Sequence, residues 1–193
     1  MSNQAEMTFE DYEQLSSVYH LLSMLWLKEP DQQLLTALSA DELKSVIESL
    51  GGNVPEEITS EIVEELAIDY CQILIGPQGQ VSPIQSVWEQ GELQSQASSS
   101  MREFFELLPG FEPQNSIPDH FGVQLQFMSE LFHAAAEYED HDLVTQNADE
   151  FYQMHLQWAA PFFAAVAEKA NTHFYAGLAN LTANFLNLAP GEQ

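Results

Sequence analysis

Basic residues are nearly missing from this chain. Lys28, Lys44, Arg102 and Lys169 stand against thirty acids, a formal net charge of −26. Such a surface repels nucleic acid and anionic lipid, so neither is an expected partner. Cysteine is almost absent too. The single Cys71 excludes an internal disulfide framework and a cysteine-based zinc site. No apolar run is long enough for a bilayer: the longest, Trp158–Ala167, has roughly ten residues where a span needs about twenty. The opening MSNQAEMTFEDYEQ carries neither a basic n-region nor an apolar h-region, so a secretory signal is not expected. A soluble cytoplasmic protein without stable membrane insertion is the expectation. No Gly-x-Ser-x-Gly elbow and no phosphate-cradling glycine loop occurs. GPQGQ (76–80) has no lysine and reads as a helix exit. Glu130 and His133 form one Glu-x-x-His pair, but a di-metal bundle needs a second, and none follows. No catalytic residue and no metal ligand set is assigned, and the chain is not expected to be an enzyme; a metal- or nucleotide-dependent enzyme is the less favoured alternative.

What is present is helical periodicity. Phe9, Tyr12, Leu15, Tyr19, Leu22 and Trp26 recur at steps of three and four, predicting a first helix of about five turns. Pro30 breaks it. Ser39 and Glu42 are spaced as a capping box for the next helix, with Gly51 and Gly52 as its exit. Ile58, Ile62, Leu66, Tyr70, Ile73 and Leu74 lie on one face of a third, which ends at Gly76-Pro77. Cys71 sits in that helix and is expected to pack as a small hydrophobe. A helix from about Leu93 to Leu108 contains Ser98-Ser99-Ser100, a weak helix-forming centre. Further helices are expected within 115–138, starting at the Pro118-Asp119-His120 turn, from about Asp142 to Trp158, and as an apolar pair over 161–188. Period-two alternation is missing, so no sheet is expected. The predicted fold is a single all-α domain over 1–193, a bundle of roughly eight to ten helices. Pro-rich links near 77–85 and 109–118 are candidate hinges. Strained hinges permit helix exchange between chains, so the expected state is a monomer or a dimer, domain swapping included.

The acidity has two readings: it serves only solubility, or it attracts a cationic partner and speeds encounter in a salt-dependent way. Pro118-Asp119-His120 at the start of the helix NSIPDHFGVQLQFM also has two readings. Ser116 and Asp119 are spaced as N-cap and N3 of a capping box, with Pro118 in the first turn. Alternatively His120, which a cap does not need, heads a boundary face with Gln124, Phe127 and Leu131 suited to a peptide cleft.

DYCQILIGP (69–77), PIQSVW (83–88), PDHFGVQLQFM (118–128) and FYAGLANLTANFL (174–186), in that order, resemble TorD/DmsD-type chaperones. These are redox-enzyme maturation proteins of the twin-arginine export system, and the resemblance spans about residues 9–188. It implies an all-helical cytoplasmic protein. Such a protein binds the twin-arginine signal peptide and the immature body of a molybdopterin oxidoreductase, of the trimethylamine-N-oxide or dimethyl-sulfoxide reductase type, until its cofactor is inserted. It implies signal-peptide contacts at Tyr70, Ile73, Leu74, Trp88, Pro118, Asp119 and His120. No cofactor is expected, and weak GTP binding follows from the resemblance only. The delta-subunit branch, which serves a nitrate reductase, is the alternative. The family often has Glu-Pro-x-Asp-His where this chain has Ser116-Ile117-Pro118-Asp119-His120, and some relatives carry Trp at position 70. Chemically, two guanidinium groups ahead of an apolar stretch call for carboxylates and apolar side chains. Asp119 is the candidate for the first. Tyr70, Ile73, Leu74 and Trp88 are candidates for the second, with plain core packing as the competing role for the first three of these.

Overall fold

Two long antiparallel neighbours organise the chain. In the computed structural model, which describes residues 8–76, 80–137 and 141–187, α1 (Phe9–Leu27) makes its largest interface with α7 (Phe121–Glu137). Helix α1 starts at a capping box: Asp11 N–H donates to Thr8 Oγ1 at 3.2 Å, and Thr8 N–H donates to Asp11 Oδ2 at 2.7 Å. Its predicted stripe is buried at Tyr12, Tyr19, Leu22 and Trp26, while Phe9 is exposed. Helix α2 (Gln32–Leu38) begins at Asp31, whose carboxylate accepts from Leu34 N–H at 2.8 Å.

Ser39 does not cap the next helix. Its N–H and hydroxyl both donate to Leu35 O, closing α2. Ser39 and Ala40 alone link α2 to α3 (Asp41–Ser49), and Ala40, at the N-cap position, provides no side-chain cap. The exit is as expected. Gly51 takes φ +86°, its N–H reaches Glu48 O, and Gly52 N–H reaches Ile47 O at 2.9 Å, a Schellman closure.

Helix α4 (Ser60–Tyr70) runs into a π-helical turn, Cys71–Ile75. Helix α5 (Gln85–Gln90) is short, and α6 (Gln96–Phe105) is shorter than expected. Gly91 and Gln94 both take positive φ, which holds Leu93 outside the helix. After α7 come α8 (His141–His155), a 3₁₀ turn at Gln157–Ala159, α9 (Ala160–Lys169) and α10 (His173–Asn187). Tyr138, Pro77, Gly79 and Leu188, which the sequence placed at element ends, lie outside the described residues. β-pairing among the described residues is one isolated bridge, Ile84 with His120. No described helix is long and apolar enough to cross a membrane.

Helix α7 is buried almost all round, which makes it the centre of the bundle. On one side Trp26, Phe121, Phe162 and Phe163 form an aromatic cluster, with Trp26 5.0 Å from Phe162 and 5.6 Å from Phe121. On the other, Phe127 lies 4.7 Å from Phe151, which with Phe104 packs around His155. The link over 109–118 is tied to α7 rather than loose. Gln126, itself buried, accepts from Gln114 N–H and donates to Glu112 O, each at 2.9 Å.

Close approach of α1 and α7 depends on Gly122. Ser23 Oγ donates to Gly122 O at 2.8 Å, and a Cβ at 122 would stand 2.6 Å from Leu27 Cγ. Gly122→Ala is therefore expected to destabilise the fold by about 1–3 kcal/mol through overpacking. Urea denaturation measures this, and an unchanged midpoint would show that the two helices tolerate wider separation.

Candidate functional site

The segments that carry the family resemblance meet in space. After the π turn the chain folds back: Val81 N–H donates to Ile73 O and Gln80 Nε2 to Leu74 O, both at 2.7 Å. The next residues lie along the turn before α7. Phe121 N–H donates to Pro83 O at 2.7 Å, Gln85 N–H to Asp119 O at 3.1 Å, and Ile84 bridges His120. PIQSVW is thus stitched to PDHF by backbone hydrogen bonds.

At the seam stands Asp119, fully buried. One carboxylate oxygen accepts from Ser86 N–H at 2.9 Å, and the other accepts a short hydrogen bond from Ser98 Oγ. Ser86 is the second residue of α5, whose own N-cap, Ile84, has no side-chain acceptor. Asp119 supplies that acceptor from another part of the chain, where the positive end of the α5 dipole also favours an anion. The expected capping box with Ser116 does not form. Asn115 Oδ1 accepts from Ile117 N–H instead, and α7 begins only at Phe121. The cap of α7 is His120: its Nδ1 accepts from Gly122 N–H at 3.1 Å, and its carbonyl accepts from Gln124 N–H. Adjacent residues therefore cap two different helices, which explains a histidine beside the acid.

A buried polar network continues inward from this pair. Gln85 Oε1 accepts from Gln124 Nε2 at 2.7 Å and from His155 Nδ1 at 2.9 Å. Gln85 Nε2 donates to Met154 O. His155 Nε2 then accepts from Ser100 Oγ at 2.9 Å, and Gln124 Oε1 accepts from Trp158 Nε1 at 3.0 Å. Four helices, α5 to α8, are joined by these side chains. Sequence reasoning missed Gln85, Ser98, Ser100 and His155. Their signal was present: two serines in the middle of a helix, and a glutamine and histidine within otherwise apolar stretches.

Tyr70, Ile73 and Leu74 are buried at 3%, 2% and 4% exposure. Tyr70 Oη donates to Trp26 O at the end of α1 and packs 6.0 Å from Tyr175. Pro118, Asp119 and His120 are buried as well. Among the seven candidates Trp88 alone is exposed, at 36%; its Nε1 donates to Ser82 O at 2.6 Å and its ring edge meets Phe162. Cys71, expected to be packed, is exposed. It points away from the face that carries Tyr70, Ile73 and Leu74. Beside it Asp69 is 2% exposed and accepts four hydrogen bonds, from the N–H and side chain of both Asn171 and Thr172, at 2.6–3.1 Å. It clamps the entry of α10 as Asp119 clamps α5. Glu130 and His133 are exposed on α7, and His133 lies 3.7 Å from Glu137. No cluster of three metal-ligating groups occurs among the described residues.

Burial pushes the His120 and His155 imidazoles down to about 4, with the Asp119 carboxylate pulling both partly back. Between that value and the ordinary 6.5, the unfolded chain binds protons that the folded chain does not. Stability contributed by each neutral ring is full above 6.5 and is lost as pH falls toward 4. His120→Asn keeps an acceptor for Gly122 N–H but removes the titration. Stability measured by denaturation from pH 7.5 down to 4.5, roughly the window these shifts define, is expected to fall less steeply in that variant than in the parent. Identical slopes would show an imidazole titrating at its ordinary value.

Together these features describe an all-α domain whose recognisable motifs are joined by buried polar clamps. Comparison with known proteins places it. The profile of the family described as nitrate reductase delta subunit matches residues 29–164. Chaperone protein TorD of Shewanella pealeana is 27% identical over 193 aligned residues, covering 86% of this chain and 84% of that protein. Chaperone protein TorD of Shewanella sp. strain MR-4 is 30% identical over 189, covering 86% and 87%. The same name belongs to a Shewanella loihica protein at 27% identity, with 89% of each chain covered. The chain belongs to this TorD-containing delta-subunit family. Its relatives are named as chaperones, a non-enzymatic role.

Proposed function

We propose that this chain is a cytoplasmic maturation chaperone for an exported molybdopterin oxidoreductase of the trimethylamine-N-oxide or dimethyl-sulfoxide reductase type. In this reading it binds the enzyme's twin-arginine signal peptide and immature body, and delays export until the cofactor is inserted. The observation that carries the reading is the near full-length alignment with proteins named chaperone protein TorD.

The chemistry of the chain supports it. A charge of −26 draws a cationic leader and raises its encounter rate. Tyr70, Ile73, Leu74, Pro118, Asp119 and His120 act in this reading as the frame that sets the shape of the peptide site, while the exposed Trp88 indole touches the ligand. Recognition needs no metal or nucleotide. Weak GTP binding, implied by resemblance alone, has no basic phosphate cradle in this sequence to carry it.

Calorimetric titration with a twin-arginine signal peptide tests the reading. Binding is expected at about micromolar Kd or tighter at low salt, weakening as salt rises. No heat and no competition at low salt would contradict it. The family description itself favours a second reading, an assembly chaperone of a nitrate reductase. Affinity purification from the native cell separates the two by the enzyme recovered. Light scattering on the same material reports monomer or dimer. Exchange of helices through the 109–118 link would have to release both Gln126 hydrogen bonds.

A further inference from the structure

Helix α4 and the π turn after it have two faces of opposite character. The inner one carries Leu66, Tyr70, Ile73 and Leu74 and is buried. The outer one steps through positions 61, 64 and 65, 68, 71 and 75, a single helical stripe. Its first two turns present Glu61, Glu64 and Glu65, all exposed. Its last two present Ile68, Cys71 and Ile75, the isoleucines 51% and 60% exposed. Among the helices, α4 has its main contact with α10, on the inner side. Acid and apolar surface thus follow each other along one axis.

The offset between them has a size. The centres of the acidic and apolar halves lie about eight residues apart, or roughly 12 Å at 1.5 Å per residue. An extended peptide covers that distance in about four residues at 3.3 Å each. We propose that this outer stripe of α4 and the π turn is the docking face for the leader segment, taking its paired guanidinium groups at Glu61, Glu64 and Glu65 and its following apolar run across Ile68, Cys71 and Ile75. This rests on the signal-peptide reading above and assigns it a location and a direction. Carboxylates spaced one turn apart suit two forked guanidiniums, and exposed β-branched side chains suit an apolar run that would otherwise face water. Tyr70, Ile73 and Leu74 lie on the buried side of the same helix and turn: they hold this face rather than touch the ligand.

Cys71, the chain's single cysteine, is a native reporter at the middle of the stripe. The experiment measures the rate of Cys71 modification by 5,5′-dithiobis(2-nitrobenzoate), without and with a saturating synthetic twin-arginine signal peptide. Bound peptide is expected to slow the reaction about tenfold or more, since thiol reactivity follows exposure. The Ile68→Ser, Ile75→Ser double variant is expected to bind the peptide about tenfold or more weakly, while Val46→Ser, at an exposed position on α3, binds as the parent does. If the double variant does not fold, protection of Cys71 in the parent decides the matter alone. Peptide binding with no protection of Cys71 overturns this assignment and leaves the chaperone reading standing. No peptide binding by the parent overturns both.

Discussion

The fold around the candidate site depends on one buried carboxylate. Asp119 accepts from the Ser86 amide and the Ser98 hydroxyl, while its own carbonyl accepts from Gln85 N–H. A carboxylate without solvent is costly unless its lone pairs are satisfied. Here the donors come from α5 and α6, so satisfying Asp119 requires both helices to pack against the turn that leads into α7. The constraint extends outward. Gln85, held by Asp119, is the residue that His155 and Gln124 address, and those two bring in α8 and α7. His120, next in sequence, starts α7 through its ring nitrogen.

Asp69 repeats the device at the entry of α10. Four donors from Asn171 and Thr172 fix the start of α10, which packs against α9 and α4. Both aspartates belong to the segments that carry the family resemblance. Those segments are thereby explained as structure: each contains a helix cap delivered across the chain, at sequence separations too long for local capping rules to register.

Much of the helix plan was legible because it is local. Periodicity places α1, α4, α7 and the final apolar pair, and Gly51-Gly52 closes α3 as its sequence suggests. Errors arose where tertiary partners outweigh local ones. Ser39 reads as an N-cap, but the two-residue link Ser39-Ala40 between α2 and α3 spends it on Leu35 O. Ser116 and Asp119 have capping-box spacing, yet Asp119 finds better donors in α5 and α6. Ser98 and Ser100 weaken α6 in isolation and are retained because Asp119 and His155 need their hydroxyls. Cys71 was placed on the buried side, but the helix register that buries Tyr70, Ile73 and Leu74 leaves it facing outward. For the site, sequence resemblance marks the right segments. It does not tell which side chains face the core and which face solvent, because one helical face serves each purpose.

The central claim is that Asp119 is a buried clamp joining α5 and α6 to the α7 turn, and not a free carboxylate on a surface turn. A double-mutant cycle on folding stability tests it most directly, using Asp119→Ala, Ser98→Ala and the pair. The account predicts a coupling of about 1–3 kcal/mol between the two positions, because each single change strands the other's polar group in the core. Additive effects, with Asp119→Ala costing no more than the about 1 kcal/mol of a lost surface cap, would contradict it.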